Sequence, residues 1–203
     1  LAVSELTLGG RRMFTGLVRD ISERKQAEAR QRRMTDELDH RVKNNLAAVL
    51  GLATQTMATS SSFEQFRAAF AGRLRAMAQT HTALARQRWQ GVGLGEIAEM
   101  VLGPFRDDSG KRIQVGGVPI QLSARSAAPI TLALHELATN AVKYGALSSP
   151  SGHVLLSWRT AGSDIEIDWR ERGGPPVREP ARPGSGLVII AGLVQFELRG
   201  SLD

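Results

Sequence analysis

The sequence predicts an α+β protein in which a long helical hairpin precedes a mixed sheet covered by helices on one side. Three observations carry this prediction. Apolar side chains recur at helical steps at Leu38, Val42, Leu46, Val49, Ala53 and Met57, and again at Phe63, Phe66, Phe70, Leu74, Met77, His81 and Leu84. Between the stripes lies only Thr59-Ser60-Ser61-Ser62, long enough to reverse the chain and nothing more, with Ser62 and Gln65 spaced as a capping box. After Gly91 the texture changes to short, Gly-punctuated elements, which places a domain boundary near residue 90.

Taken in order, residues 6–19 alternate around Gly9-Gly10, with Met13, Thr15, Leu17 and Arg19 on one face and Phe14, Gly16 and Val18 on the other. This is a strand ending a hairpin. It runs into Asp20-Ile21-Ser22-Glu23-Arg24-Lys25, where Ser22 is placed to cap a helix continuing to Met34. The strand followed by these residues resembles the closing segment of a PAS sensor domain joined to a signalling helix. The division expected is therefore 1–21 for the sensor end, 22–36 for a helical linker, 37–90 for the hairpin and 91–203 for the second domain.

Within the second domain a short helix over Leu94 to Leu102 precedes a strand at Arg112 to Val115. A longer helix is expected from Ala128-Pro129, with proline in its first turn, Ile130, Leu134, Leu137 and Ala141 as its buried stripe, and Gly145 as its stop. Strands follow at Val154 to Trp158 and Asp164 to Arg170, the latter with Ile165, Ile167 and Trp169 on one face. A Gly/Pro/Arg loop over 172–186 leads to an apolar helix from Leu187 to Leu198.

Composition narrows the classes. No apolar run approaches the roughly 18 to 20 residues needed to cross a bilayer. The absence of cysteine excludes disulfides and thiolate metal sites and suits a reducing, cytoplasmic setting. The net charge of +6 could indicate nucleic acid, but it is spread along the chain without interleaved aromatics, and a polyanionic small ligand such as ATP is an equally good sink for it. Because the first residue is Leu1, a sensor or anchor is expected upstream.

The chemistry-bearing residues fall in two places. His40 lies opposite the first apolar stripe, with Lys43 and Asn44 on its face and Asp39 before it. A neutral imidazole there can attack phosphorus while a carboxylate orients the ring; the bland alternative is an idle surface histidine. In HELATNAVKYGAL (135–147), Glu136, Asn140 and Lys143 recur at i, i+4 and i+7, aligning a carboxylate, an amide oxygen and an ammonium on one face away from the buried stripe. Oxygen ligands and a cation suit Mg²⁺-ATP, against the alternative of a solvated face. Downstream, Glu171 ends a strand where a carboxylate can accept from an adenine amino group, Gly173 and Gly174 leave room for a base, and Gly184 and Gly186 open a helix towards phosphates. His81 is expected in the hairpin seam and His153 at an exposed strand start.

These motifs together resemble the HWE class of sensor histidine kinases. Its name takes the His of an asparagine box and the Trp and Glu of a W-x-E motif, here His135, Trp169 and Glu171, and LDHRVKNNLAAVLGLA (38–53) resembles its phosphoacceptor box. The resemblance implies a dimerisation and phosphotransfer hairpin followed by a Bergerat-type (GHKL) α/β sandwich. It implies ATP and Mg²⁺ as cofactors and His40 as phosphoacceptor. Glu136 would orient the attacking imidazole and Asn140 would be the metal ligand. Lys143 would contact phosphate, Tyr144 would lie near adenine and Glu171 would hold it, with His135 and Trp169 architectural. Its implied partners are a response-regulator receiver domain, an upstream PAS-like sensor and a second copy of the chain, although the class also holds monomers. The chain departs from conventional relatives in a short, proline-rich loop after Glu171 and in stopping at Asp203, where another strand would begin. Two other readings compete: a degenerate module that docks a partner without catalysis, and a nucleic-acid binder, which no recognition motif supports.

Overall fold

The alternation around Gly9 folds as a hairpin rather than as one strand. The computed structural model describes residues 2–9, 11–17, 20–107, 110–176 and 185–202. In it, β1 (Ala2–Leu8) and β2 (Arg11–Leu17) pair antiparallel with Leu8 opposite Arg11. The side chains assigned to the two faces between Met13 and Arg19 lie outside the described residues. The helix that follows, α1 (Ser22–Thr59), is one uninterrupted rod of 38 residues, so the linker and the first hairpin helix are continuous. Its N-terminus is capped by Asp20 rather than Ser22. The Asp20 carboxylate accepts from the Ser22 N–H at 2.8 Å, because Ser22 is already helical and its N–H is one of the helix's orphan donors. Hydrogen bonds from Ser22 hold the Asp20 carboxyl below its ordinary range.

The chain forms two compact units, Leu1–Leu50 and Gly51–Asp203. In the first, Leu38, Val42 and Leu46 of the predicted stripe are all exposed. Among the described residues no helix is long and apolar enough to cross a membrane.

In the second unit α2 (Phe63–Arg86) begins at Ser62, whose hydroxyl accepts from the Gln65 N–H at 3.2 Å. Gln65 reaches back to the Ser61 N–H at 2.8 Å, one residue beyond the Ser62 N–H that a capping box engages. The buried face of α2 is Arg73, Ala76, Met77, Thr80, Ala83 and Leu84, while Phe63 and Leu74 of the expected stripe are exposed. Small Ala76, Thr80 and Ala83 admit a neighbouring helix more closely than the phenylalanines can, and that helix is α4, described below. His81 sits not in a hairpin seam but edge-on to Trp89, with ring centroids 5.6 Å apart; its burial there lowers its pKa.

After β3 (Val92–Gly93), helix α3 (Leu94–Leu102), where a short helix was expected, buries Leu94, Ile97, Ala98, Val101 and Leu102 at helical steps. Strand β4 (Ile113–Gly117) and the two-residue β5 (Gln121–Leu122) come next, and β5 pairs with β3. Helix α4 (Ala124–Lys143) starts earlier than expected. Ser123 caps it, accepting from the Ser126 N–H at 3.2 Å, so buried Pro129 falls in the second turn, near enough to the start for its missing N–H to be tolerated. Strands β6 (His153–Ala161) and β7 (Asp164–Arg172) complete a sheet of order β4-β6-β7, parallel then antiparallel, and His153 is exposed at the mouth of β6. Val154, Leu156 and Trp158 face a core built with Ile97 and Leu102 of α3 and Leu134, Ala138 and Ala141 of α4. Each large apolar side chain buried there contributes about 1.5–3 kcal/mol. Finally α5 (Ser185–Gly192) passes into a π-helical turn, Leu193–Glu197.

Candidate functional site

Helix α4 carries most of the predicted site, and burial is graded along it. Glu136, expected on an open face, is buried, Asn140 is half-buried and Lys143 is exposed. The reason is Arg73 on α2. Its Nε donates to Glu136 Oε1 and its Nη2 to Oε2, both at 2.7 Å, a bidentate pair with both side chains about nineteen-twentieths buried. The third donor, Nη1, reaches Thr56 Oγ1 at 2.7 Å, and that hydroxyl donates to the Leu52 carbonyl. A buried charge of either sign would be costly alone; together, with all three guanidinium bonds charge-assisted, they tie the end of α1, α2 and α4 at one point.

Gly186, the second residue of α5, lies directly over this polar corner. A Cβ placed on it would stand 2.9 Å from Asn140 Nδ2, 3.2 Å from Asn140 Oδ1 and 3.1 Å from Glu136 Oε2. The lack of a side chain lets α5 start against these two groups without displacing them, which brings the predicted pair Asn140 and Gly186 together. Gly184 lies outside the described residues. Tyr144 follows Lys143 at the helix end and is strongly exposed.

One turn beyond Asn140, the C-terminal end of α4 meets β7. The register sets Trp169 opposite Leu156 and Glu171 opposite Val154, so both point to the helix-covered face of the sheet. Glu171 Oε2 accepts from the Ala146 N–H at 2.7 Å, and Oε1 accepts from the Trp169 indole N–H at 3.0 Å. Gly145 makes the approach possible, since a Cβ there would be only 2.0 Å from Glu171 Oε2. Gly173 turns the chain out of β7 at φ 73°, where a Cβ would meet the Ser151 carbonyl at 2.8 Å; its neighbour is backbone of the loop that leads into β6. Arg112 braces that loop through the carbonyls of Gly152, Leu147 and Ser149.

His135 is half-buried, with its ring 6.3 Å from that of Phe105 and its Nε2 3.0 Å from the Cβ position of Gly72 on α2. Burial is the main cause that lowers its pKa; the Glu136 charge opposes it and Arg73 assists. His40 belongs to α1, and its side chain lies outside the described residues. Arg73, Thr56 and Arg112 were not anticipated from the sequence. Arg73 shares the Met77 and Thr80 side of its helix, and a lone arginine at the margin of an apolar stripe is the only local signal it offers.

Among the described residues no group of three or more His, Asp or Glu side chains could hold a metal ion. A hard cation that takes one or two protein oxygens and keeps water and phosphate oxygens for the rest, as Mg²⁺ does, still fits the Asn140 amide oxygen beneath the cradle at Gly186.

Comparison with known proteins agrees with this architecture. Residues 37–119 match the family model of the HWE histidine kinase, and residues 117–196 that of the histidine kinase-like ATPase domain. The chain is 39% identical over 200 residues to a blue-light-activated histidine kinase of Brucella anthropi, covering 97% of this chain and 41% of the relative. It is 36% identical over 195 residues to the protein of that name in Brucella ovis, covering 94% and 40%. The chain thus spans about two fifths of the length of these curated relatives. In fold it resembles the histidine kinase domain of the Erythrobacter litoralis EL346 blue-light activated histidine kinase, with TM-score 0.53, 19% identity and coverage of 80% of this chain and 81% of that one. The matched models and these relatives agree with the buried α4 motif, the W-x-E strand and the helix-covered sheet: the chain belongs to the HWE histidine kinases.

Proposed function

We propose that the chain is a kinase core that moves the γ-phosphoryl group of ATP onto His40 and from there onto an aspartate of a response-regulator receiver domain. The observation that carries this reading is the order of groups along the end of α4: Glu136 and Asn140 under Gly186, then Lys143, then Gly145 with the Glu171 carboxylate. That order matches a nucleotide laid along the helix end, with its phosphates at Asn140 and its base at Glu171.

In this reading Glu171 accepts from the adenine 6-amino group through the lone pairs that Ala146 and Trp169 leave open. Lys143 offers an exposed ammonium to phosphate, and Tyr144 lies beside the base. Asn140 would be the protein ligand of Mg²⁺, which supplies neutralisation of phosphate charge when bound. A ring nitrogen of His40 forms a bond to the γ-phosphorus as the bond to the β,γ-bridging oxygen breaks and ADP leaves. The imidazole's other proton passes to a carboxylate or to water. Glu136 keeps a lone pair on each oxygen beside its bonds to Arg73, but it is buried, so for it to orient the imidazole those lone pairs must become reachable. The hairpin Ala2–Leu17 running into α1 is the joint to a PAS-like sensor, and the exposed Leu38, Val42 and Leu46 stripe is the face offered to a second copy in a four-helix bundle.

Incubation with γ-labelled ATP and Mg²⁺ tests the reading. Acid-labile label is expected on the wild type and on His81→Gln and is expected to vanish in His40→Gln; label retained by His40→Gln overturns it. The second reading, a non-catalytic docking module, has one observation in its favour: both oxygens of Glu136 are engaged by Arg73. It predicts no label on any variant.

A further inference from the structure

We infer that Trp169 is a positioning residue: its indole N–H fixes the Glu171 carboxylate so that the site reads the 6-substituent of a purine. This rests on the proposed reading of Glu171 as the group that meets the base. The two residues stand on one face of β7, and the contact between them is a hydrogen bond from a neutral donor to a charged acceptor, 3.0 Å long. The other carboxylate oxygen is taken by the Ala146 N–H at 2.7 Å, and Ala146 is itself buried. A carboxylate gripped at both oxygens cannot turn about its last side-chain bond, and its two remaining lone-pair sites keep one direction.

Fixing that direction decides which base is accepted. Adenine presents a donating 6-amino group beside an accepting N1. Hypoxanthine presents an accepting 6-oxo group beside a donating N1–H. A freely turning carboxylate can follow the donor from one position to the other and accept from either base. One held in place accepts from the 6-amino group of adenine and meets the 6-oxo oxygen of hypoxanthine as acceptor against acceptor, which leaves both groups unsatisfied. Gly145 supports the assignment, because the space in which Glu171 Oε2 sits exists only where residue 145 has no Cβ. Trp169 is half-buried and packs against the core, so its ring is held independently of any ligand.

The test measures binding of ATP and ITP with Mg²⁺ to the full chain. In Trp169→Phe, which keeps the packed ring and removes the donor, ATP affinity is expected to fall about tenfold and ITP affinity to change much less, so that discrimination collapses. A merely structural role would weaken both nucleotides equally. Glu171→Gln separates the failures. If it loses discrimination while Trp169→Phe keeps the wild-type ratio, the positioning role of Trp169 is wrong and Glu171 still reads the base. If Glu171→Gln keeps the wild-type ratio, or the wild type binds neither nucleotide, the reading of Glu171 itself fails. Should Trp169→Phe not fold, the indole ¹⁵N–¹H resonance of Trp169 is read on the folded wild type. It is expected to move on Glu171→Gln substitution and on ATP addition, and a resonance that moves with neither overturns the inference.

Discussion

Replacing Arg73 by methionine removes the cation from the most deeply buried ion pair among the described residues. The aliphatic stem of Arg73 is roughly conserved, so little cavity is created. What is lost is the bidentate partner of Glu136 and the donor to Thr56 Oγ1, each at 2.7 Å, with Glu136 only 5% exposed. An unpaired carboxylate left in such a place costs about 3–5 kcal/mol, far more than the pair would be worth if exposed. For a unit of this size that corresponds to a fall in melting temperature of about 6–20 °C. All three tryptophans, Trp89, Trp158 and Trp169, lie beyond residue 51, so tryptophan fluorescence follows this unit alone. The double variant Arg73→Met with Glu136→Leu removes both charges and is expected to recover most of the loss, within about 1–2 kcal/mol of the wild type. If Arg73→Met melts with the wild type, or the double variant is worse than the sum of the singles, the buried pair does not hold α2 to α4 as described.

Further outcomes follow from the same contacts. Gly145→Ala places a Cβ on the Glu171 oxygen and is expected to break the Ala146 N–H bond, lowering ATP affinity about tenfold by titration calorimetry. Thr80 and Thr131 are buried and their hydroxyls lie 2.8 Å apart, with Thr131 donating on to the Ala127 carbonyl. Thr80→Val is expected to cost about 1–2 kcal/mol in urea unfolding, and Thr80→Val with Thr131→Val less than the sum of the two. Burial depresses the His135 pKa below its ordinary 6.5, so the unfolded chain binds the extra proton first. Stability contributed by the neutral ring is present above about pH 6.5 and is lost as pH falls towards the lower folded value. His135→Gln is expected to flatten that part of a stability-versus-pH curve.

Legibility followed the range of the interactions involved. The extent of helix α3 was readable, about Leu94 to Leu102, because its apolar residues pack on the core while Glu96 and Glu99 stay exposed. The cap at Ser62 and the stop at Gly145 were visible because glycine and hydroxyl side chains act locally, whereas the chain reversal at Gly9 was read as part of one strand. Glu136 was misplaced on an open face for the opposite reason. Its partner Arg73 is 63 residues away, and no periodicity in α4 distinguishes a carboxylate facing solvent from one facing a guanidinium. The burial of α2 was likewise misjudged, since phenylalanines mark the stripe in sequence while alanines and threonines mark the face that another helix can approach. Pro129 shifted the expected start of α4 because proline is commonest in a first turn, whereas Ser123 supplies the cap. Glu171 was picked out as a strand-end carboxylate; that Trp169 and Ala146 would each hold one of its oxygens depended on strand register, which a single sequence leaves open.

Localising the phosphoryl group tests the account most directly. After reaction with ATP and Mg²⁺ under conditions that preserve phosphoramidates, peptide mass spectrometry is expected to place the mass of one phosphoryl group on the peptide bearing His40, and to find none there in Asn140→Ala. A phosphoryl group on any other histidine, or one on His40 that survives loss of Asn140 undiminished, contradicts it.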